Sequence, residues 1–159
     1  MFNLVLFEPE IPPNTGNLIR LAANLGAALH LVEPLGFSLD IKAVRRAGLD
    51  YHDLTRVHTH KNLDTCLEHL LKPNVQLFAC TTKGELTHVA PNYRKNDVLL
   101  FGPETRGLPE AVRMDSRVTA TVRLPMCAGN RSLNLANAVS VVSYEAWRQN
   151  GFSGAENPS

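Results

Sequence analysis

The chain has 159 residues, 44% of them hydrophobic and 19% charged, with a formal net charge of +1. That is the make-up of an ordinary globular domain long enough for a proper core, and it excludes the global basic field of a protein that coats nucleic acid. No apolar run approaches the roughly 20 residues needed to span a bilayer, so no membrane partner is expected.

The start, Met1-Phe2-Asn3-Leu4, lacks the basic stretch of a secretion signal. Cys66, Cys80 and Cys127 are widely spaced, with no CxxC. Both features predict a cytoplasmic protein, and the cysteines argue against a disulfide framework or a zinc site.

In chain order, Phe2–Phe7 is an apolar run suited to a buried strand. Glu8-Pro9-Glu10-Ile11-Pro12-Pro13 cannot be helix interior, because prolines remove donors and fix φ. Asn14 or Thr15 then caps a helix to about Leu25, stopped by Gly26. Ala28–Glu33 reads as a strand, Ile41–Ala47 as a short helix ended by Gly48, and Leu54–His58 as a third strand. A helix near Leu63–Leu71 stops at Pro73, and Val75–Cys80 is a fourth strand. Asp97–Phe101 is a fifth, a short helix follows Pro109, Val118–Leu124 is a sixth strand, and Leu133–Gln149 is the final helix. The alternation predicts an α/β fold with a mostly parallel sheet flanked by helices, in a single domain over 1–150. Residues 151–159 are small and polar and read as a flexible tail.

Two segments sit where a strand ends and a helix begins: Phe101–Pro109 and Leu124–Ala138. Ligands of open parallel sheets bind beyond such strand ends. The first packs two glycines, two prolines, Glu104 and Arg106 into nine residues. Gly102 permits close approach of a ligand to backbone, and Glu104 and Arg106 pair with each other or point at a substrate. The first helix carries Asn17, Arg20 and Asn24 on one stripe, which is either a solvated face or part of a site. Asn14-Thr15-Gly16-Asn17 lies in its first turn, where free N–H groups favour anions such as phosphate. The last helix carries Asn137, Val141, Tyr144 and Arg148 on one stripe and Leu135, Val139, Val142 and Ala146 on another. Two such faces fit a core helix or a subunit interface equally. His58-x-His60 is the nearest metal candidate and reads as a surface or strand-end pair.

Three segments together, Asn14-x-Gly16-Asn17-x-x-Arg20, Phe101-Gly102-Pro103-Glu104-x-Arg106-Gly107-Leu108 and Leu124-Pro125-Met126 followed by Ser132-Leu133-Asn134-Leu135-Ala136-Asn137-Ala138, resemble the three motifs of SPOUT RNA methyltransferases. The short length, Glu8–Asn17 and Ser140–Gln149 narrow the resemblance to the branch that methylates the ribose of the tRNA wobble nucleotide. The resemblance implies a deep C-terminal trefoil knot, a homodimer, and S-adenosylmethionine as methyl donor with no metal. It implies a donor pocket lined by Cys80, Gly102, Leu124 and Ser132, with Met126 and Leu133 close by. The substrate implied is the anticodon stem-loop of leucine tRNAs, methylated at the 2′-oxygen of nucleotide 34, a cytidine or a modified uridine.

Arg20 is the implied catalytic arginine. An arginine is too weak a base to take the proton at rest, so binding the phosphate and stabilising the forming alkoxide suit it better. Asn17, Glu104, Ser132 and Asn134 are candidates to orient the ribose. Arg20, Arg106, Arg131 and Tyr144 are candidates to hold RNA, with Arg45, Arg46 and Lys83 as further local positive charge. Two other readings stay open: a SPOUT enzyme for another tRNA or rRNA ribose, and a non-catalytic RNA-binding module on the same fold.

Overall fold

The computed structural model describes residues 1–46, 48–49, 51–54 and 56–156. Seven strands are described: β1 (Asn3–Phe7), β2 (Ala28–Val32), β3 (Val57–His60), β4 (Leu77–Cys80), β5 (Leu86–Thr87), β6 (Val98–Phe101) and β7 (Ala120–Arg123). They form one sheet in the order β3-β2-β1-β6-β4-β7-β5, and every pairing is parallel. Six helices are described: α1 (Pro12–Leu25), α2 (Ile41–Arg46), α3 (Tyr51–Leu54), α4 (Leu63–Leu70), α5 (Glu110–Arg113) and α6 (Leu135–Gln149).

Both faces of the sheet are covered, which is why the central strands read as unbroken apolar runs. Side chains alternate between two cores. Leu4, Leu6, Leu29, Leu31, Leu99 and Phe101 face the layer of α1 and α6. Val5, Ala79, Val98 and Leu100 pack with Cys66, Leu67 and Leu70 of α4 on the other face. Asp97 fastens the amino ends of three strands. It is 0% exposed, and its carboxylate accepts from Gln76 N (2.9 Å), Gln76 Nε2 (3.1 Å) and Arg94 N (2.7 Å). Its carbonyl takes the N–H of Asn3 at 3.0 Å.

Several boundaries differ from the sequence reading. α1 begins at Pro12, so both prolines sit in its first turn, where no intrahelical donor is needed, and Asn14 and Thr15 are buried inside the helix instead of capping it. The strand expected over 54–58 is β3, displaced to Val57–His60, because Tyr51–Leu54 forms a helical turn. β5 has only two exposed residues and no apolar run to announce it. α6 starts at Leu135 because Asn134 is its cap, accepting from the N–H groups of Ala136 (2.9 Å) and Asn137 (3.3 Å). The end of the expected helix over 41–47 lies outside the described residues. Residues 151–156 turn back along α6: Phe152 packs edge-on against Trp147, whose indole N–H donates to the Ser153 carbonyl at 3.1 Å. No helix among the described residues is long and apolar enough to cross a membrane.

Asp97→Ala strands three donors in a buried position. A loss of about 1–3 kcal/mol of unfolding free energy is expected, read as a lower urea midpoint with an unchanged slope.

Candidate active site

At the carboxyl ends of β4, β6 and β7 lies a cavity of about 370 Å³. These strands are neighbours in the sheet though far apart in sequence. The walls are Cys80-Thr81-Thr82, the loop from Phe101 to Leu108, Val122, Leu124 and Met126, the turn Arg131-Ser132-Leu133, and one side of α6. All six residues expected to hold the donor, Cys80, Gly102, Leu124, Met126, Ser132 and Leu133, are on these walls, as are Glu104, Arg106 and Arg131. A wider, shallower groove of about 890 Å³ beyond β2 and β3, lined by Glu33, Phe37 and Lys61 among others, contains none of them.

The wall after β6 is shaped by close backbone approach. A Cβ on Gly102 would sit 2.3 Å from the Leu108 nitrogen and 2.4 Å from the Gly107 carbonyl carbon, so only glycine fits. Cys80 is no nucleophile: burial pushes its thiol well above the ordinary range, so it stays protonated. Leu124, Leu133, Leu135 and Val142 give the cavity an apolar side.

Glu104 and Arg106 do not pair with each other. The Glu104 carboxylate accepts from Glu10 N (2.8 Å), Ile11 N (3.0 Å) and Asn14 Nδ2 (3.3 Å). It therefore sits at the amino end of α1, where a negative charge meets the positive end of the helix dipole. The anion position expected for a phosphate is thus taken by a side chain. Pro12 and Pro13 carry no N–H, and the N–H groups of Asn14 (3.1 Å) and Thr15 (3.4 Å) bond the Ile11 carbonyl. Arg106 instead forms ion pairs with Glu8 and with Glu10, and these bonds, chiefly that to Glu8, raise its guanidinium pKa further. Thr105 Oγ1 adds a bond of 2.7 Å to the Glu10 carboxylate. Glu8 itself has φ of 48°, a left-handed conformation uncommon for a residue with a side chain.

Asn134 also has a structural partner. While its oxygen caps α6, its Nδ2 donates to Asn14 Oδ1 at 2.9 Å. Asn14, only 6% exposed, thus links Glu104 to Asn134 and joins all three sequence motifs. The sequence pattern offers Asn14 or Thr15 as a cap, but the two prolines before them already fill the first helical turn and place both inside the helix.

The remaining candidates stand apart from the cavity. Asn17, Arg20 and Asn24 form an exposed stripe on α1. The Arg20 guanidinium donates to the Gly48 carbonyl at 2.8 Å and is not among the cavity walls of its own chain. Tyr144 is 46% exposed beside Val141 at 43%, on the outer stripe of α6, and α6 packs beside α1. Arg45, Arg46, Lys83 and Arg131 are exposed.

Glu104→Ala removes the acceptor for two backbone N–H groups and the Asn14 amide. We expect about 1–3 kcal/mol of lost stability by urea unfolding; a carboxylate that served only a substrate would leave the midpoint unmoved.

The residues from 1 to 144 match the model of the SpoU rRNA Methylase family. A protein of Methylovorus glucosotrophus (strain SIP3-4) named tRNA (cytidine(34)-2′-O)-methyltransferase is 54% identical over 155 residues, 98% of this chain and 99% of its own length. A solved structure described as giving structural insights into the 2-OH methylation of C/U34 on tRNA superposes with a TM-score of 0.86 at 46% identity, covering 96% of this chain and 97% of that one. The SpoU methyltransferase AviRb from Streptomyces viridochromogenes in complex with the cofactor AdoMet matches with a TM-score of 0.79 at 28% identity, over 96% of this chain and 58% of its own. The family match spans both loops that wall the cavity and the helix that carries Arg20, so the chain belongs to the SpoU rRNA Methylase family.

Proposed function

We propose that this chain transfers a methyl group from S-adenosylmethionine to the ribose 2′-oxygen of nucleotide 34, cytidine or carboxymethylaminomethyluridine, in leucine tRNAs. The observation that carries the reading is the cavity at the ends of β4, β6 and β7, which brings together every residue expected to hold the donor. Its volume of about 370 Å³ and its mix of apolar and polar lining residues suit a nucleoside with a methionine arm. The full-length relatives named for this activity support the substrate.

The donor supplies an activated methyl group, and in-line displacement makes positioning the main work of the protein. Gly102 and the loop behind it press backbone against the ligand, while Leu124 and Leu133 exclude water. Glu104, Asn14 and Asn134 act as positioning residues that hold the loops in register. Ser132, on the wall, is placed to orient the ribose, and Asn17 serves on the same exposed face as Arg20. Arg20 holds the phosphate next to the target and stabilises the alkoxide as the hydroxyl proton leaves. Arg106, Arg131 and Tyr144 contact the anticodon stem-loop.

The protein works as a homodimer formed along the exposed stripes of α1 and α6, so that the partner's Arg20 reaches the cavity. The location of Arg20 away from its own cavity supports this. Residues 1–150 act as one domain, with 151–159 as a tail that takes no part in the site. The C-terminal segment is threaded as a trefoil knot. In support, the chain at Gly84 crosses so close to β7 that a Cβ there would lie 2.3 Å from the Val122 carbonyl carbon. The reading places the enzyme in the cytoplasm, in keeping with the free thiols of Cys66, Cys80 and Cys127.

Labelled methyl transfer to leucine tRNA from cells lacking the modification tests the arrangement. Arg20→Ala is expected to lose at least about 100-fold in rate while binding the donor normally by calorimetry. Gly102→Ala is expected to lose donor binding. Equilibrated together in equal amounts, the two inactive proteins should regain roughly a quarter of wild-type activity, because one site in each mixed dimer is intact. A mixture that stays inactive would place Arg20 in its own chain's site.

A further inference from the structure

A cluster of side chains on the opposite wing of the sheet has no task in methyl transfer. His30, in the middle of β2, is 2% exposed and lies on the α4 side of the sheet beside Val5 and Val32. β3 pairs with β2 so that His58 is level with His30 and His60 with Val32. The His30 and His58 rings stack at 5.0 Å, and the His30 and His60 rings lie 5.2 Å apart. α4 contributes Cys66, 0% exposed, and at i+3 on the same helix face His69, whose ring is 6.2 Å from that of His60 and 6.5 Å from that of His30. Of the pair His58-x-His60 visible in the sequence, only His60 belongs to the centre of the group, with His30 and Cys66.

One ligand atom from each of these three lies within 4.8 Å of the others. The close pair is His30 Nδ1 and His60 Nε2, 2.9 Å apart. Metal–nitrogen bonds of about 2.0–2.1 Å and a metal–sulfur bond of about 2.3 Å put the ligands of a tetrahedron about 3.3–3.6 Å apart. The close pair would open by about half an ångström, and contacts as wide as 4.8 Å would close by about one, movements within the reach of side-chain torsions.

We propose that His30, His60 and Cys66 bind a divalent ion of the zinc type, with His69 as the fourth ligand. Three imidazoles with one thiolate are a borderline-soft donor set, which favours zinc over magnesium or calcium. On binding, the hydrogen bond between His30 and His60 is exchanged for metal–nitrogen bonds, and the proton it held moves by way of solvent to the other nitrogen of its own ring. The Cys66 thiol releases its proton to solvent as the metal–sulfur bond forms. The ion would tie β3, the four-residue edge strand of the sheet, to β2 and α4. Its role is structural, because the cluster shares no residue with the methyl-transfer cavity.

The test is a titration of the full-length chelator-treated protein with zinc chloride and, separately, cobalt chloride. The site predicts one ion per chain, a rise in Tm with zinc, and a thiolate-to-cobalt charge-transfer band with the strong visible bands of tetrahedral cobalt. Cys66→Ser should abolish that band, and His60→Ala should weaken zinc binding at least ~10-fold. His58→Ala, outside the ligand set, should leave both unchanged. A folded wild-type protein that gives no thiolate-to-cobalt band overturns the proposal without recourse to any variant. Zinc binding that survives both His60→Ala and Cys66→Ser overturns it too, as an adventitious ion only.

Discussion

The structure hangs on the carboxylate of Glu104. It lies on the loop that walls the cavity, yet it bonds the chain just before α1, more than ninety residues earlier. The double proline that opens α1 leaves that end of the helix poor in donors of its own. The carboxylate supplies a negative charge where the helix dipole wants one and accepts the two N–H groups that precede the prolines. Asn14 passes the connection on to Asn134, and Asn134 caps α6. One chain of polar contacts thus sets the cavity loop, the helix that bears Arg20 and the helix that closes the cavity in a single geometry. Hydrogen bonds to an ionised group are stronger than neutral ones, which suits a contact that spans the whole sequence.

The cavity follows from the sheet. Parallel strands present their carboxyl ends on one edge, and the order β6-β4-β7 gathers there three loops from distant parts of the chain. The walls are mostly loop residues, with apolar side chains among them. Gly102 illustrates the cost of that design: the loop folds so closely on itself that a single methyl group has no room. Charge is kept at the rim, where Arg106 is held by Glu8 and Glu10, and where Arg131 is exposed.

Much of this was legible in the sequence, for reasons that can be named. The central strands are buried on both faces, so Phe2–Phe7, Val75–Cys80 and Asp97–Phe101 stand out as apolar runs, each within two residues of the observed strand. The cavity loops stand out because glycine and proline are needed there. β5 was illegible because two exposed residues carry no pattern, and the start of α1 because proline is both a helix breaker and a good first-turn residue. The partners of Glu104 and Asn134 were illegible for a different reason. Each looks like a reactive polar group on a loop, and only the tertiary fold brings Ile11 and Asn14 beside them. The histidine cluster was hidden likewise, since His30 lies 30 residues from His60 and matches no compact ligand spacing.

The proposed role of the cavity is methyl transfer to one ribose oxygen. It is tested most directly by incubating the protein and S-adenosylmethionine with leucine tRNA from cells that lack the modification, then mapping the product by nuclease digestion and mass spectrometry. A single added methyl group is expected, on the 2′-oxygen of nucleotide 34. A methyl group on a base or on the ribose of another nucleotide, or no transfer to tRNA at all, would contradict it.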